Sequence, residues 1–213
     1  MPQTDNKRFI SFEGIDFSGK STQITFLAEA LRNHGYNVII LREPGGTSIS
    51  EKIRDILLDN SNQQMMPLTE TLLYSAARHQ LVYESIIPEL QKGNFVLADR
   101  YVDSTTAYQG FGRKLTSSFI ESLNKQVTTD VMPYITFYLD LDYDESQKRR
   151  TSIGDDLDRM ESAGRDFYER IRKGYLKIAE LNKTRVKIID ACQSVEKIKN
   201  EIWEFASQKL NLD

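Results

Sequence analysis

The chain has 213 residues, 39% of them hydrophobic and 28% charged, with a formal net charge of −3. That is enough for one α/β domain burying roughly 70% of its extended surface, and it provides no overall basic field for a nucleic-acid partner. Cys192 is the only cysteine and His34 and His79 the only histidines, which excludes an intrachain disulfide and a cysteine zinc cluster.

In chain order, the polar start Met1-Pro-Gln-Thr-Asp-Asn-Lys-Arg has no apolar core and reads as no signal peptide. No apolar run approaches the ~18 residues of a membrane span, so no membrane partner is expected and the cytoplasm is the expected location. Arg8 to Glu13 predicts a short, half-buried or buried strand. Gly14 to Ser21 then spells G-x-x-x-x-G-K-S, and Ile24, Leu27, Ala28 and Leu31 follow at helical spacing. A glycine loop between strand and helix is the phosphate-cradling loop of nucleoside triphosphate enzymes. Its amides and the helix N-terminus stabilise phosphate oxygens. The stretch Gly14, Ile15, Asp16, Phe17, Ser18, Gly19, Lys20, Ser21 and Thr22 is therefore the expected ATP site, with Lys20 reaching the β/γ-phosphates and Ser21 ligating Mg²⁺.

Further along, Asn37–Arg42 predicts a second buried strand, Glu43 to Thr47 a loop, and 49–57 a short helix. A long helix is predicted over 67–91, bent near Pro88. The third strand, from Phe95, ends at Asp99-Arg100; helical segments follow near 103–110 and 116–126. Strands at 134–139 and 185–189 alternate with helices over 144–151, 162–182 and 195–210. Strands separated by helices imply an α/β, three-layer fold with a five-stranded parallel sheet and ligands at the strands' C-terminal ends. The 14–21 loop, Arg42-Glu43 and Asp99-Arg100 should then share one rim. Asp99, closing an apolar strand, suits a water-mediated Mg²⁺ ligand. Arg54 and Arg100 are the cations expected to fork an acceptor's phosphate. The N-K-x-D element of guanine-specific switch proteins is incomplete, since Asn182-Lys183-Thr184 runs into Arg185.

GIDFSGKST, REPGGT (42–47), LLYSAARHQ (72–80), ADRYVDSTTAYQG (98–110) and LDRMESAGRDFYERIRKGY (157–175) together resemble thymidylate kinase in order and spacing, from about Phe9 to Ala191. The resemblance implies a single P-loop kinase domain that passes the ATP γ-phosphoryl group to dTMP as a cytoplasmic homodimer. It implies that Arg54 and Arg100 hold the dTMP phosphate, and that Asp16 faces the sugar 3′-hydroxyl. Glu43 would sit at the Mg²⁺/sugar region, with a cis bond expected at Glu43-Pro44. Tyr74, where the family commonly has Phe, would stack on thymine, and Arg78 would meet its O4. Thr105 and Gln109 would meet N3 and O4, and Tyr108 would crowd C2′. Phe17 stands where some relatives carry a P-loop arginine. The sequence instead gathers Lys148, Arg149, Arg150 and Arg159 about a lid expected near 149–160, so Arg149 and Arg150 are the expected catalytic cations beside Lys20, Asp16 and Arg100.

Overall fold

The computed structural model describes residues 6–153, 159, 160 and 164–212. Five strands make one parallel sheet: β1 (Phe9–Glu13), β2 (Val38–Arg42), β3 (Phe95–Asp99), β4 (Ile135–Asp140) and β5 (Val186–Asp190), in the order β2-β3-β1-β4-β5. The helices between them are α1 (Lys20–Asn33), α2 (Ser48–Leu58), α3 (Pro67–Leu81), α4 (Ile87–Gln91), α5 (Val102–Thr105), α6 (Ser117–Thr128), α7 (Tyr143–Ile153), α8 (Arg165–Leu181) and α9 (Val195–Leu210). Every residue of β1 is buried, as expected of a central strand covered on both faces. Side chains alternate across it. Ile10 and Phe12 share one core with Ile24, Leu27 and Leu31 of α1 and with Ile198 and Ile202 of α9. Phe9 belongs to the opposite core, with Leu81, Ile86 and Leu90.

The expected long helix over 67–91 is interrupted. Its break is a π-helical turn at Val82–Ile86, ahead of Pro88; the wider turn brings Leu81 and Ile86, five residues apart, into the same core cluster. A second wide turn, Thr106–Gly112, replaces the regular helix expected after 103. It buries Ala107, Tyr108, Gln109 and Gly112. Gly112 and Gly174 let this turn lie close against α8, since a Cβ at either would meet Phe167 or Phe111 carbons at 2.7–2.8 Å. Of the expected lid, 154–158 lies outside the described residues. The ends of β1, β2 and β3 place Gly14, Glu43 and Arg100 along one rim, with Arg42 in register with Asp99.

Candidate active site

Gly14 has φ +142, and a Cβ there would lie 2.6 Å from the Leu139 carbonyl oxygen, so the loop closes only with glycine. Within the loop, Lys20 Nζ donates to the Ile15 carbonyl at 3.0 Å. Burial, with the nearby Arg100 charge, draws the Lys20 pKa down against the pull of Asp99, Asp16 and Glu13. Ser21 Oγ donates to Asp99 Oδ2 at 2.9 Å, joining the start of α1 to the end of β3. Gly19, Lys20, Ser21 and Thr22 line a cavity of about 610 Å³ together with Asp16, Phe17, Arg42, Asp99, Arg149 and Ser152. Gly14, Ile15 and Ser18 stand behind its surface.

A second cavity, of about 100 Å³, adjoins the first. All nine residues expected to bind the acceptor line it: Asp16, Glu43, Arg54, Tyr74, Arg78, Arg100, Thr105, Tyr108 and Gln109. Asp16, Glu43, Arg54 and Arg100 belong to both cavities. This shared charged wall is where two anionic groups can be brought end to end.

Arg100 is held at φ +75. Its Nη1 donates to the Gly14 carbonyl at 2.7 Å and its Nη2 to Asp16 Oδ1 at 2.6 Å, with the guanidinium 5.2 Å from the Tyr108 ring centre. A carboxylate inside a phosphate loop is electrostatically awkward without a cation; Asp16 has found one. Burial opposes its ionisation, but the Arg100 and Lys20 charges hold its pKa below the usual range. Arg54 Nη1 and Arg42 Nη1 both donate to the Pro44 carbonyl, at 2.9 and 3.0 Å, and the Glu43-Pro44 bond is cis.

Arg78 is buried, and its short contacts come from the Glu43 loop and from the 101–105 segment. Its Nε donates to Glu43 Oε2 at 2.6 Å, Nη1 to Thr105 Oγ1 at 2.6 Å and Nη2 to the Tyr101 carbonyl at 3.0 Å. Glu43 Oε1 and the Tyr108 hydroxyl are enclosed without a protein partner among the described residues. Both belong to cavity-lining residues, which fits a bound cation or polar group completing them.

Two expectations for the lid cations need correction. Arg159 is buried: its Nη1 meets Glu70 Oε2 at 2.8 Å and its Nε donates to the Leu57 carbonyl at 2.7 Å. A guanidinium so satisfied is an anchor, not a mobile charge. Arg150 lines neither cavity, while Arg149 lines the first and donates to the carbonyls of Phe17 (3.3 Å) and Ala191 (2.8 Å). Sequence reading missed Met160, Leu58 and Ser104 in the wall of the second cavity and the buried carboxylates Glu13 and Glu70. Only their place inside the recurring blocks hinted at Met160 and Ser104; nothing local marks a glutamate as buried.

Glu13 accepts hydrogen bonds from the Tyr101 amide (2.8 Å), the Ser104 hydroxyl (2.6 Å) and the Tyr175 hydroxyl (2.9 Å). Burial, then the charge of Asp103, raises its pKa from 4.5 to about 7. Burial does the same to Glu43, to about 7, against the opposing Arg78 charge. Both carboxyls thus bind a proton more tightly folded than unfolded. Their contribution to stability declines as pH rises from about 4.5 to 7 and levels off above. Carboxylates with depressed pKa values, such as Asp16, act in a lower window, losing their contribution as pH falls below the unfolded value. Urea unfolding is expected to give a smaller free energy at pH 8 than at pH 5, with Glu13→Gln flattening the slope. A rise over that interval would refute it.

A family model described as thymidylate kinase matches residues 12–202. Thymidylate kinase of Thermoanaerobacter sp. (strain X514) is 43% identical over 203 residues, covering 95% of this chain and 98% of that protein. That of Pelodictyon phaeoclathratiforme is 46% identical over 208 residues, 94% and 95% of the two chains. The crystal structure of thymidylate kinase from Ehrlichia chaffeensis superposes with a TM-score of 0.74 at 36% identity, covering 92% of this chain and 96% of that one. With the phosphate loop, the shared charged wall and the family match in agreement over nearly the whole length, this chain belongs to the thymidylate kinase family.

Proposed function

We propose that this chain transfers the γ-phosphoryl group of ATP to the 5′-phosphate of dTMP, giving dTDP and ADP for dTTP synthesis. The observation that carries the reading is the wall of Asp16, Glu43, Arg54 and Arg100 common to both cavities. An oxygen of the acceptor phosphate attacks the γ-phosphorus, the bond to the bridging oxygen breaks, and ADP leaves with the electron pair. Such a step needs alignment and charge neutralisation more than covalent help. Lys20 and the loop amides hold the donor. Arg54 and Arg100 hold the acceptor phosphate, and Arg100 is already braced by Asp16. Arg149 reaches the donor loop at the Phe17 carbonyl, and its carboxylate partner among the described residues, Glu145, is partly exposed.

Mg²⁺ fits the residues present: Ser21 and Asp99 are joined at 2.9 Å beside Lys20, and Glu43 Oε1 is enclosed with no partner among the described residues. Ser21, Asp99 and Glu43 would hold it, directly or through water. Bound there, it would neutralise phosphate charge. A coupled assay with ATP decides the function: rapid turnover of dTMP, little of CMP, GMP or thymidine, and loss of activity with excess EDTA are expected. A pocket that reads only the thymine methyl group contributes ~1–3 kcal/mol, so dUMP should be slow but measurable. Turnover of another monophosphate in preference to dTMP overturns the reading.

A homodimer and a cytoplasmic location belong to the same proposal. The pair of helices α2 and α3 exposes Ile49, Ile56, Leu68 and Leu72, each between 47% and 52% accessible, beside Met66 at 67%. A patch of that kind marks an association surface. A monomer mass by light scattering at micromolar concentration would remove the dimer.

A further inference from the structure

We infer that Glu70 is a positioning residue for base selection: it fixes the Gln109 amide with its carbonyl oxygen toward the acceptor cavity, so that this wall takes a pyrimidine bearing N–H at ring position 3. The inference rests on the second cavity being the dTMP site. Glu70, on α3, is fully buried, and donors surround it. Its Oε1 accepts from Gln109 Nε2 at 3.0 Å and Arg113 Nε at 3.1 Å; its Oε2 accepts from Arg113 Nη2 at 2.9 Å and Arg159 Nη1 at 2.8 Å. Burial opposes its charge, yet the Arg113 and Gln109 hydrogen bonds hold its pKa below the usual range, so it is a carboxylate at neutral pH. A carboxylate only accepts. The Gln109 group facing it must therefore be the NH₂, since a turned amide would set two oxygens against each other and leave a buried acceptor unmet.

With Nε2 engaged on Glu70, Gln109 offers Oε1 to the cavity it lines. Beside it, Thr105 Oγ1 accepts from Arg78 Nη1, leaving the threonine hydroxyl hydrogen to donate. An acceptor next to donors matches thymine N3–H and O4. Cytosine presents the reverse, an N3 acceptor and an N4 donor. Adenine is rejected on the same ground. Guanine shares the thymine order, and the size of the cavity must exclude it.

The test compares kcat/KM for dTMP and 5-methyl-dCMP, which differ only along this edge, in the wild type and in Glu70→Gln. An amide at position 70 can face Gln109 with either end, so Gln109 is released to turn. We expect the dTMP preference to shrink at least tenfold. An unchanged ratio, with both substrates slowed alike, would mean that Glu70 is merely structural and would overturn the inference. Should Glu70→Gln show no cooperative unfolding transition, the wild type alone decides. Protonation of cytosine N3 turns it into a donor, so the affinity for 5-methyl-dCMP relative to dTMP should rise about tenfold per pH unit toward the ring's own pKa; a flat ratio overturns the inference. Wild-type protein that phosphorylates neither nucleotide would instead sink the functional reading on which this one rests.

Discussion

Replacing Arg100 with alanine is expected to lower kcat/KM for dTMP by about 10²–10³-fold, the range seen when one preorganised donor to a reacting anion is removed. KM for ATP should move less than about threefold. The backbone supports reading this loss as chemistry rather than folding. Arg100 sits at φ +75, and alanine meets the same left-handed penalty that arginine already bears. What disappears is the fork that holds the Gly14 carbonyl at 2.7 Å and Asp16 at 2.6 Å. Asp16 then loses its nearest cation, and a carboxylate is left facing an incoming phosphate. Arg100→Lys should recover only part of the rate, because one ammonium cannot serve both partners and a phosphate. Steady-state kinetics giving a loss below about tenfold for Arg100→Ala would remove this residue from the acceptor site.

Arg149→Ala should act on the other parameter. We expect kcat to fall by about 10³-fold or more, as when a cation that stabilises the transferring group is deleted, with KM for dTMP within about threefold of wild type. Arg149 lies on α7 and reaches the phosphate loop through the Phe17 carbonyl and the end of β5 through the Ala191 carbonyl. Among the described residues its ionic partner is Glu145, 3.3 Å away and partly exposed. Arg150, one residue on, lines neither cavity and is the natural control. Its alanine variant should stay within about threefold of wild type. Equal and mild effects of Arg100→Ala and Arg149→Ala on both parameters, or a larger effect of Arg150→Ala, would overturn the division of roles.

The parts of this molecule that are legible in the sequence are those written locally. The phosphate loop, the buried strands and the final helix, expected over 195–210 and found at Val195–Leu210, all carry their signal within a few residues. So does the rim where Glu43, Asp99 and Arg100 meet, because parallel strands place their C-terminal ends together. The two π-helical turns carry no such local signal: they arise where Ile86 or Tyr108 must face inward against another layer. Buried ionic clusters are hidden for the same reason. Glu70 looks like any charged helix residue until α3, the 106–112 turn and Arg159 converge on it. Arg159 likewise reads as a lid cation until its partners, distant in sequence, are seen around it. Arg78 reads as a surface charge or a base contact; its near-complete burial removes the first reading, while it still lines the smaller cavity.

That burial has a consequence for ligand design. Arg78 is immobilised by Glu43, Thr105 and the Tyr101 carbonyl within the protein itself, so a heterocycle docking against it forfeits none of the ~1.5–2 kcal/mol of rotamer freedom that an arginine ordinarily surrenders. The same rigidity cuts the other way for bulkier inhibitors. A compound that needs this side chain to swing aside must separate a buried ion pair, against a penalty of about 3–5 kcal/mol. Added bulk is better directed toward the donor cavity, across the wall that the two chambers have in common.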